Sequence, residues 1–146
     1  MNYLYKTEAL NNNQYGFTPQ KSTVDAAMEV RQFIEHQLQR REVVLTASLD
    51  VKGAFGSAWW TDKLTGLQEA KCPRNLQYLT KEYLKDRKAM IAINSISMET
   101  SITNVCPQGA CCSPELWNIP FNTLLKLEYT KHTKVVTFAD DILIMI

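Results

Sequence analysis

Three acidic residues stand where a carboxylate could do chemistry. Asp50 closes the apolar run 43–50 (VVLTASLD), and Asp140 and Asp141 sit side by side between the apolar segments KVVTF and ILIMI. An acid at the end of a strand and two at the tip of a hairpin can meet only if the two strands lie in one sheet. Side chains alternate along a strand, so the adjacent pair converges only where the turn splays both toward a common ion. Hard oxygen ligands of this kind suit Mg²⁺, which keeps several waters and is held by one or two carboxylates plus substrate phosphates. Two such ions about 3.5–4 Å apart serve in-line displacement at phosphorus, one at the attacking and one at the leaving oxygen. Asp-Asp is also an ordinary turn dipeptide, so the pair alone does not decide between a metal site and a turn.

The elements that must position these acids can be read from spacing. Residues 22–40 predict a helix, with Ser22 and Asp25 spaced as a capping box and Ala26, Val30, Phe33, Ile34 and Leu38 at helical intervals. The β-branched run 43–50 predicts a buried strand that delivers Asp50 at its C-terminal end. Helices are expected over 57–71 and over 75–87, the second with Leu76, Leu79 and Leu84 inward. Residues 89–94 and 96–103 predict a hairpin turning at Asn94-Ser95. The loop CysProGlnGly at 106–109 precedes a helix with Ser113 as N-cap and Pro114 at its first position. A last hairpin over 134–146 carries the two acids at its tip. Strands and helices interleave at uneven spacing, so the class is α+β with an antiparallel hairpin in the sheet.

Composition narrows the partners little. With 146 residues the chain makes one domain at most, and 16 basic against 15 acidic residues leave a formal charge of +1 that announces no nucleic-acid partner. No run approaches the ~20 apolar residues of a membrane span, and residues 1–17 lack the pattern of a signal peptide. Four cysteines, two of them adjacent, make a poor disulfide framework and predict reduced thiols in an intracellular compartment. Cys106, Cys111 and Cys112 cluster without a CxxC pair or a nearby histidine, His36 and His132 being far apart, so no zinc site is read. Lys81, Lys85, Arg87 and Lys88, with Tyr78 and Tyr83 between them, could track phosphates; pairing with Glu82 and Asp86 makes a solvated helix face the plainer reading. Of the adjacent Trp59 and Trp60, one is expected in the core and one half exposed. The apolar ending predicts a fragment cut inside a larger domain.

Four segments in order resemble the reverse transcriptases of non-LTR (LINE-type) retrotransposons, most closely the insect R1/Jockey-like group. They are QYGFTPQKST at 14–23, SLDVKGAF at 48–55, CPQGACCSP at 106–114 and FADDIL at 138–143. The resemblance runs from about Gln14 to the end. It implies fingers and palm interleaved over 1–146, catalytic palm segments at about 43–71 and 106–146, and a palm built as a ferredoxin-like split βαβ sheet with helices on one face, the chain ending before the thumb. Asp50, Asp140 and Asp141 would be the three metal-binding carboxylates, holding two Mg²⁺ ions with Mn²⁺ able to substitute. Phe55 matches an aromatic steric gate against a 2′-hydroxyl, or else plain core. Gln108 and Gly109 match the segment that packs on the incoming nucleotide and template base, unless Gln108 caps the helix. Lys21 matches a basic fingers position near template or triphosphate, or is a solvated lysine. The amides of Val51, Lys52, Gly53 and Ala54 would face the triphosphate.

What the resemblance implies for function is RNA-directed DNA polymerisation: addition of deoxynucleoside triphosphates to a primer 3′-hydroxyl on an RNA or DNA template, with no membrane partner. The parent protein would carry an endonuclease domain and a thumb. It would act in the nucleus at the site of integration and travel in the cytoplasm with the element RNA. Several positions depart from the pattern. Gly56 replaces an acid, Phe138 replaces tyrosine, Asn104-Val105 replaces a basic-Gly pair, Glu115 stands at an apolar position and Pro120 falls inside a helix. These changes keep a second reading open, an inactive remnant that at most binds nucleic acid.

Overall fold

The computed structural model describes residues 3–7, 9–107 and 109–146. In chain order the elements are α1 (Tyr3–Lys6), α2 (Thr23–Gln39), β1 (Thr46–Asp50), α3 (Ala54–Ser57), α4 (Trp60–Glu69), α5 (Arg74–Leu84), β2 (Lys88–Ile93), β3 (Ile96–Ser101), α6 (Ser113–Leu125), β4 (Lys134–Phe138) and β5 (Asp141–Met145). The larger sheet has the order β1-β5-β4, each neighbour antiparallel. β1 and β4 therefore run parallel with β5 between them, which is the split βαβ arrangement. β2 and β3 form a separate two-stranded sheet.

Alternation along β4 and β5 builds two cores. Val135 and Ile142 face a cluster with Leu116, Trp117, Ile119 and Leu125 of α6. Val136 and Met145 face Ala26 of α2, with Val30, Phe33 and Ile34 packed around them. The expectation placed helices on one face; α2 covers the β4 side of the other as well, because its apolar stripe finds Val136 and Met145 there. Lys134 pairs with Glu29 of α2 at the same seam. Ser22 caps α2 as the spacing predicts, accepting from the Asp25 amide at 3.3 Å while Asp25 accepts from the Ser22 amide at 2.7 Å.

Several local expectations need correcting. The run 43–50 reads as a buried strand, yet β1 is an edge strand with every residue exposed, Leu49 at 47%; its apolar content does not tell a central strand from an edge. The helix expected over 57–71 is broken at Ala58 and Trp59 into α3 and α4. On α5, Leu84 is buried as expected, but Leu79 is exposed and Thr80 is buried in its place. Ser113 is the first residue of α6 rather than its cap: Cys112 precedes the helix without a side-chain cap bond, and the Ser113 hydroxyl donates to the Pro107 carbonyl. Trp59 is exposed and Trp60 half-buried, so neither is in the core. The basic stretch finds other partners than Glu82 and Asp86: Arg87 lies 4.2 Å from the Tyr83 ring centre, and Lys88 pairs with Glu99 across the β2–β3 hairpin. All four cysteines are unpaired, as expected. Among the described residues no helix is long and apolar enough to cross a membrane.

Candidate active site

The sheet register places the acids. Asp50 is directly opposite Asp141 at the end of the β1–β5 ladder, and Phe138 is opposite Asp141 on the other side. Residues directly opposite in an antiparallel pair project from the same face, so the two carboxylates share one side of the sheet. Asp140 lies in the two-residue connection between β4 and β5. Asp50 and Asp141 are exposed and Asp140 half-buried, leaving all three reachable from solvent. Among the described residues, however, no three His, Cys, Asp or Glu side chains close on a common metal position. The backbone register brings Asp50 and Asp141 to one end of the sheet, with Asp140 in the adjoining turn.

The turn bearing Asp140 is held from several directions. Ala139 has φ +56°, unusual for a residue with a Cβ. Its carbonyl accepts from Gln14 Nε2 and from Trp117 Nε1, both at 3.2 Å. Gly16 packs on it so closely that a Cβ there would lie 2.0 Å from the Ala139 nitrogen. Residues 13–15 run alongside β4, Tyr15 donating to the Thr137 carbonyl at 2.8 Å and the Thr137 amide to the Asn13 carbonyl at 2.9 Å. None of Gln14, Gly16, Trp117 or Asn118 is singled out by sequence reasoning; the quoted segment 14–23 contains the first two, and the signal stops there.

The remaining expected residues are distributed as follows. The loop after Asp50 turns at Gly53, φ +62°, and the Ala54 amide donates within that turn to the Val51 carbonyl at 3.1 Å. Lys52 and Gly53 are exposed, Val51 is half-buried and Ala54 buried. The half-buried Phe55 stacks on Trp117 (ring centres 5.4 Å apart) and makes a T-shaped contact with Phe17 at 6.0 Å. Its ring is therefore fixed in an aromatic row that continues to Phe121 and, through the Trp117 indole, reaches the acid-bearing turn. The Lys21 ammonium is bonded to the Asn12 carbonyl and, at 3.4 Å, to the Gln14 carbonyl, and it lies 4.7 Å from the Tyr15 ring centre; burial pushes its pKa down. Gly109 is exposed with φ +82°. Gln108 lies outside the described residues.

A second anchor ties the Asp50 loop to the segment before Gly109. Lys63, fully buried, donates to the carbonyls of Ala58 at 2.6 Å and Val105 at 3.1 Å, and Trp60 Nε1 donates to Val105 at 3.0 Å. The Cys106 amide donates to the Phe55 carbonyl at 2.7 Å. Burial holds the Lys63 ammonium below its ordinary pKa, against the neighbouring Cys106. Val105 sits at φ +85°, an outlier for a β-branched residue. Glycine adopts such a φ without strain, so this chain keeps the conformation without the residue suited to it. Val105→Gly is expected to stabilise the chain by about 1 kcal/mol, relief of ~1–3 kcal/mol of strain outweighing the added unfolded-state entropy. Urea denaturation reads this directly.

The chain belongs to the reverse transcriptase (RNA-dependent DNA polymerase) family, whose model matches residues 1–146. It is similar to the putative 115 kDa protein in type-1 retrotransposable element R1DM of Drosophila melanogaster, 28% identical over 133 residues that make up 91% of this chain and 12% of that protein. It is 32% identical over 128 residues to the retrovirus-related Pol polyprotein from type-1 retrotransposable element R1 of Bradysia coprophila, covering 88% of this chain and 12% of that one. The RNA-directed DNA polymerase from mobile element jockey of Drosophila melanogaster is 24% identical over 141 residues, 92% of this chain and 15% of that protein. The chain thus spans only a small part of the curated relatives it matches.

Proposed function

We propose that this chain is the fingers and palm of an RNA-directed DNA polymerase of a non-LTR retrotransposon. One observation carries the reading: Asp50 and Asp141 stand opposite each other at the end of one ladder, with Asp140 in the adjoining turn. The reaction is attack of a primer 3′-hydroxyl on a deoxynucleoside triphosphate, releasing pyrophosphate, on an RNA template. Asp50, Asp140 and Asp141 would hold the divalent ions, Mg²⁺ or in its place Mn²⁺. Bound there, the ions would supply Lewis-acid stabilisation of the attacking and leaving oxygens. The donor set fits: three solvent-reachable carboxylates at one sheet end are the hard ligands such ions take.

This chain's own residues position the substrates. The loop Val51–Gly53, exposed at Lys52 and Gly53, borders the acids and offers main-chain amides to phosphate, the Ala54 amide being turned instead to the Val51 carbonyl. Phe55, locked by Trp117, presents a ring whose place against the ribose discriminates a 2′-hydroxyl. By resemblance, Gln108 and Gly109 would serve the incoming base and template, and Lys21 braces the segment that supports the turn. The parent protein supplies thumb and endonuclease, and works in the nucleus at the integration site and in the cytoplasm with its RNA.

Primer extension on an RNA template with Mg²⁺ tests the reading, using the chain alone and continued by the coding sequence that follows it. Extension by the continued form, abolished in Asp141→Asn, is the expected result. A folded continued form that never extends would leave a remnant with the site and without the activity.

A further inference from the structure

We propose that Gln14 is a positioning residue for the acid-bearing turn, setting the aim of Asp140 beside Asp141 through the main chain of Ala139. The inference rests on the polymerase reading and adds a residue to it. Gln14 is 2% exposed, and its carboxamide pairs with both polar groups of Ala139 as another peptide would: Nε2 donates to the carbonyl, and Oε1 accepts from the amide, each at 3.2 Å. Oε1 also accepts from the Gly16 amide at 2.8 Å. Two main-chain N–H groups can only donate, so they fix which end of the carboxamide is the oxygen.

The carbonyl that Gln14 holds is the one that defines the turn. In a two-residue hairpin the central peptide, here Ala139–Asp140, takes opposite orientations in the two favoured turn types. Type I′ needs positive φ at both central residues and type II′ at the first only. Ala139 is positive and Asp140 is not, the sign pattern of type II′. That pattern favours glycine first, and with alanine there the left-handed backbone costs about 1–2 kcal/mol. Gln14, with the Trp117 indole on the same oxygen, supplies the donors that keep the peptide from flipping. A flip would rotate Asp140 while leaving the β4–β5 ladder intact, so the loss falls on the acids rather than on the fold. Gln14 is itself fixed, since residues 13–15 bond to β4 on either side of it.

Mn²⁺ titration of the 146-residue chain, with unbound Mn²⁺ read by electron paramagnetic resonance, tests this. Wild type is compared with Gln14→Leu, Gln14→Glu and Asp141→Asn, and circular dichroism checks the fold of each. Gln14→Leu is expected to weaken Mn²⁺ binding about tenfold, the lower end of what outer-shell partners cost a metal site. Gln14→Glu discriminates positioning from packing. A protonated carboxyl reproduces the donor and acceptor, whereas the carboxylate sets an oxygen against the Ala139 carbonyl. The affinity of Gln14→Glu relative to wild type therefore falls as pH rises through the pKa of the introduced carboxyl, while Gln14→Leu keeps a constant ratio. Should Gln14→Leu unfold the chain, the pH profile of Gln14→Glu decides alone. Wild-type affinity in both variants at every pH, with Asp141→Asn weakened, would overturn the inference and leave the polymerase site standing. No difference between wild type and Asp141→Asn would overturn both.

Discussion

Asp50→Asn is expected to make the metal-free chain more stable and to abolish polymerisation. Asp50 and Asp141 face each other across the β1–β5 ladder, and neither is in an ion pair among the described residues. Like charges directly opposite in a sheet destabilise by roughly 0.2–1 kcal/mol, and asparagine removes that repulsion while keeping the side chain's shape. The gain is largest at low salt, because both carboxylates are solvent-exposed and screened by added ions. The same substitution removes a ligand from the proposed ion site, which contributes several kcal/mol of transition-state stabilisation. At about 1.36 kcal/mol per tenfold, extension falls by roughly three orders of magnitude. A residue kept at a cost to the metal-free fold has a use outside the fold, so opposite signs for stability and activity are the signature. Melting in low salt and primer extension measure the two halves.

Gly16→Ala should unfold or displace the acid-bearing turn. A Cβ there would sit 2.0 Å from the Ala139 nitrogen, 2.7 Å from its Cα and 2.9 Å from the Phe138 carbonyl carbon. All three are main-chain atoms of the turn, so no side chain can swing aside. Either residues 13–16 leave β4 or the turn moves off them. The first breaks the Tyr15–Thr137 and Asn13–Thr137 bonds and the buried bond from Asn118 Nδ2 to the Gly16 carbonyl at 3.1 Å; the second breaks the Gln14 pairing. Overpacking against rigid backbone together with lost buried hydrogen bonds costs about 3 kcal/mol or more. Urea denaturation should show it, and faster hydrogen exchange at the Thr137 amide would identify detachment of residues 13–16. An unchanged midpoint would mean that the contact between Gly16 and Ala139 is not tight in solution.

The acids were legible because their neighbours were. Apolar strands on either side of Asp140-Asp141 fix a hairpin, and a β-branched run ending at Asp50 fixes a strand; that the two lie in one sheet is the condition the sequence leaves open and the β1-β5-β4 order supplies. The capping box at Ser22 was legible for the same reason, being entirely local. What holds the site was not. Gln14 reaches Ala139 across 125 positions, and no periodicity reports a contact of that span. Lys63 looks like a solvated helix lysine, yet it is fully buried because two stray carbonyls, Ala58 and Val105, need donors where water cannot reach. The exposure of β1 and of the residues leading into it was likewise hidden, since Val43, Leu45 and Leu49 are as apolar at an edge as in a core. The sequence leaves Phe55 as gate or as core; the ring is half-buried and stacked on Trp117, which fixes its place, and its role as a gate rests on the proposal.

The central claim is that the carboxylates of Asp50, Asp140 and Asp141 share divalent ions with a nucleotide. The most direct measurement is the melting temperature of the chain with and without Mg²⁺ plus a deoxynucleoside triphosphate, for wild type and Asp141→Asn. Wild type should melt higher with both ligands present, by the equivalent of about 2.7 kcal/mol at roughly a hundredfold excess over Kd, and the Asp141→Asn variant should not respond. An equal rise in both would contradict the claim.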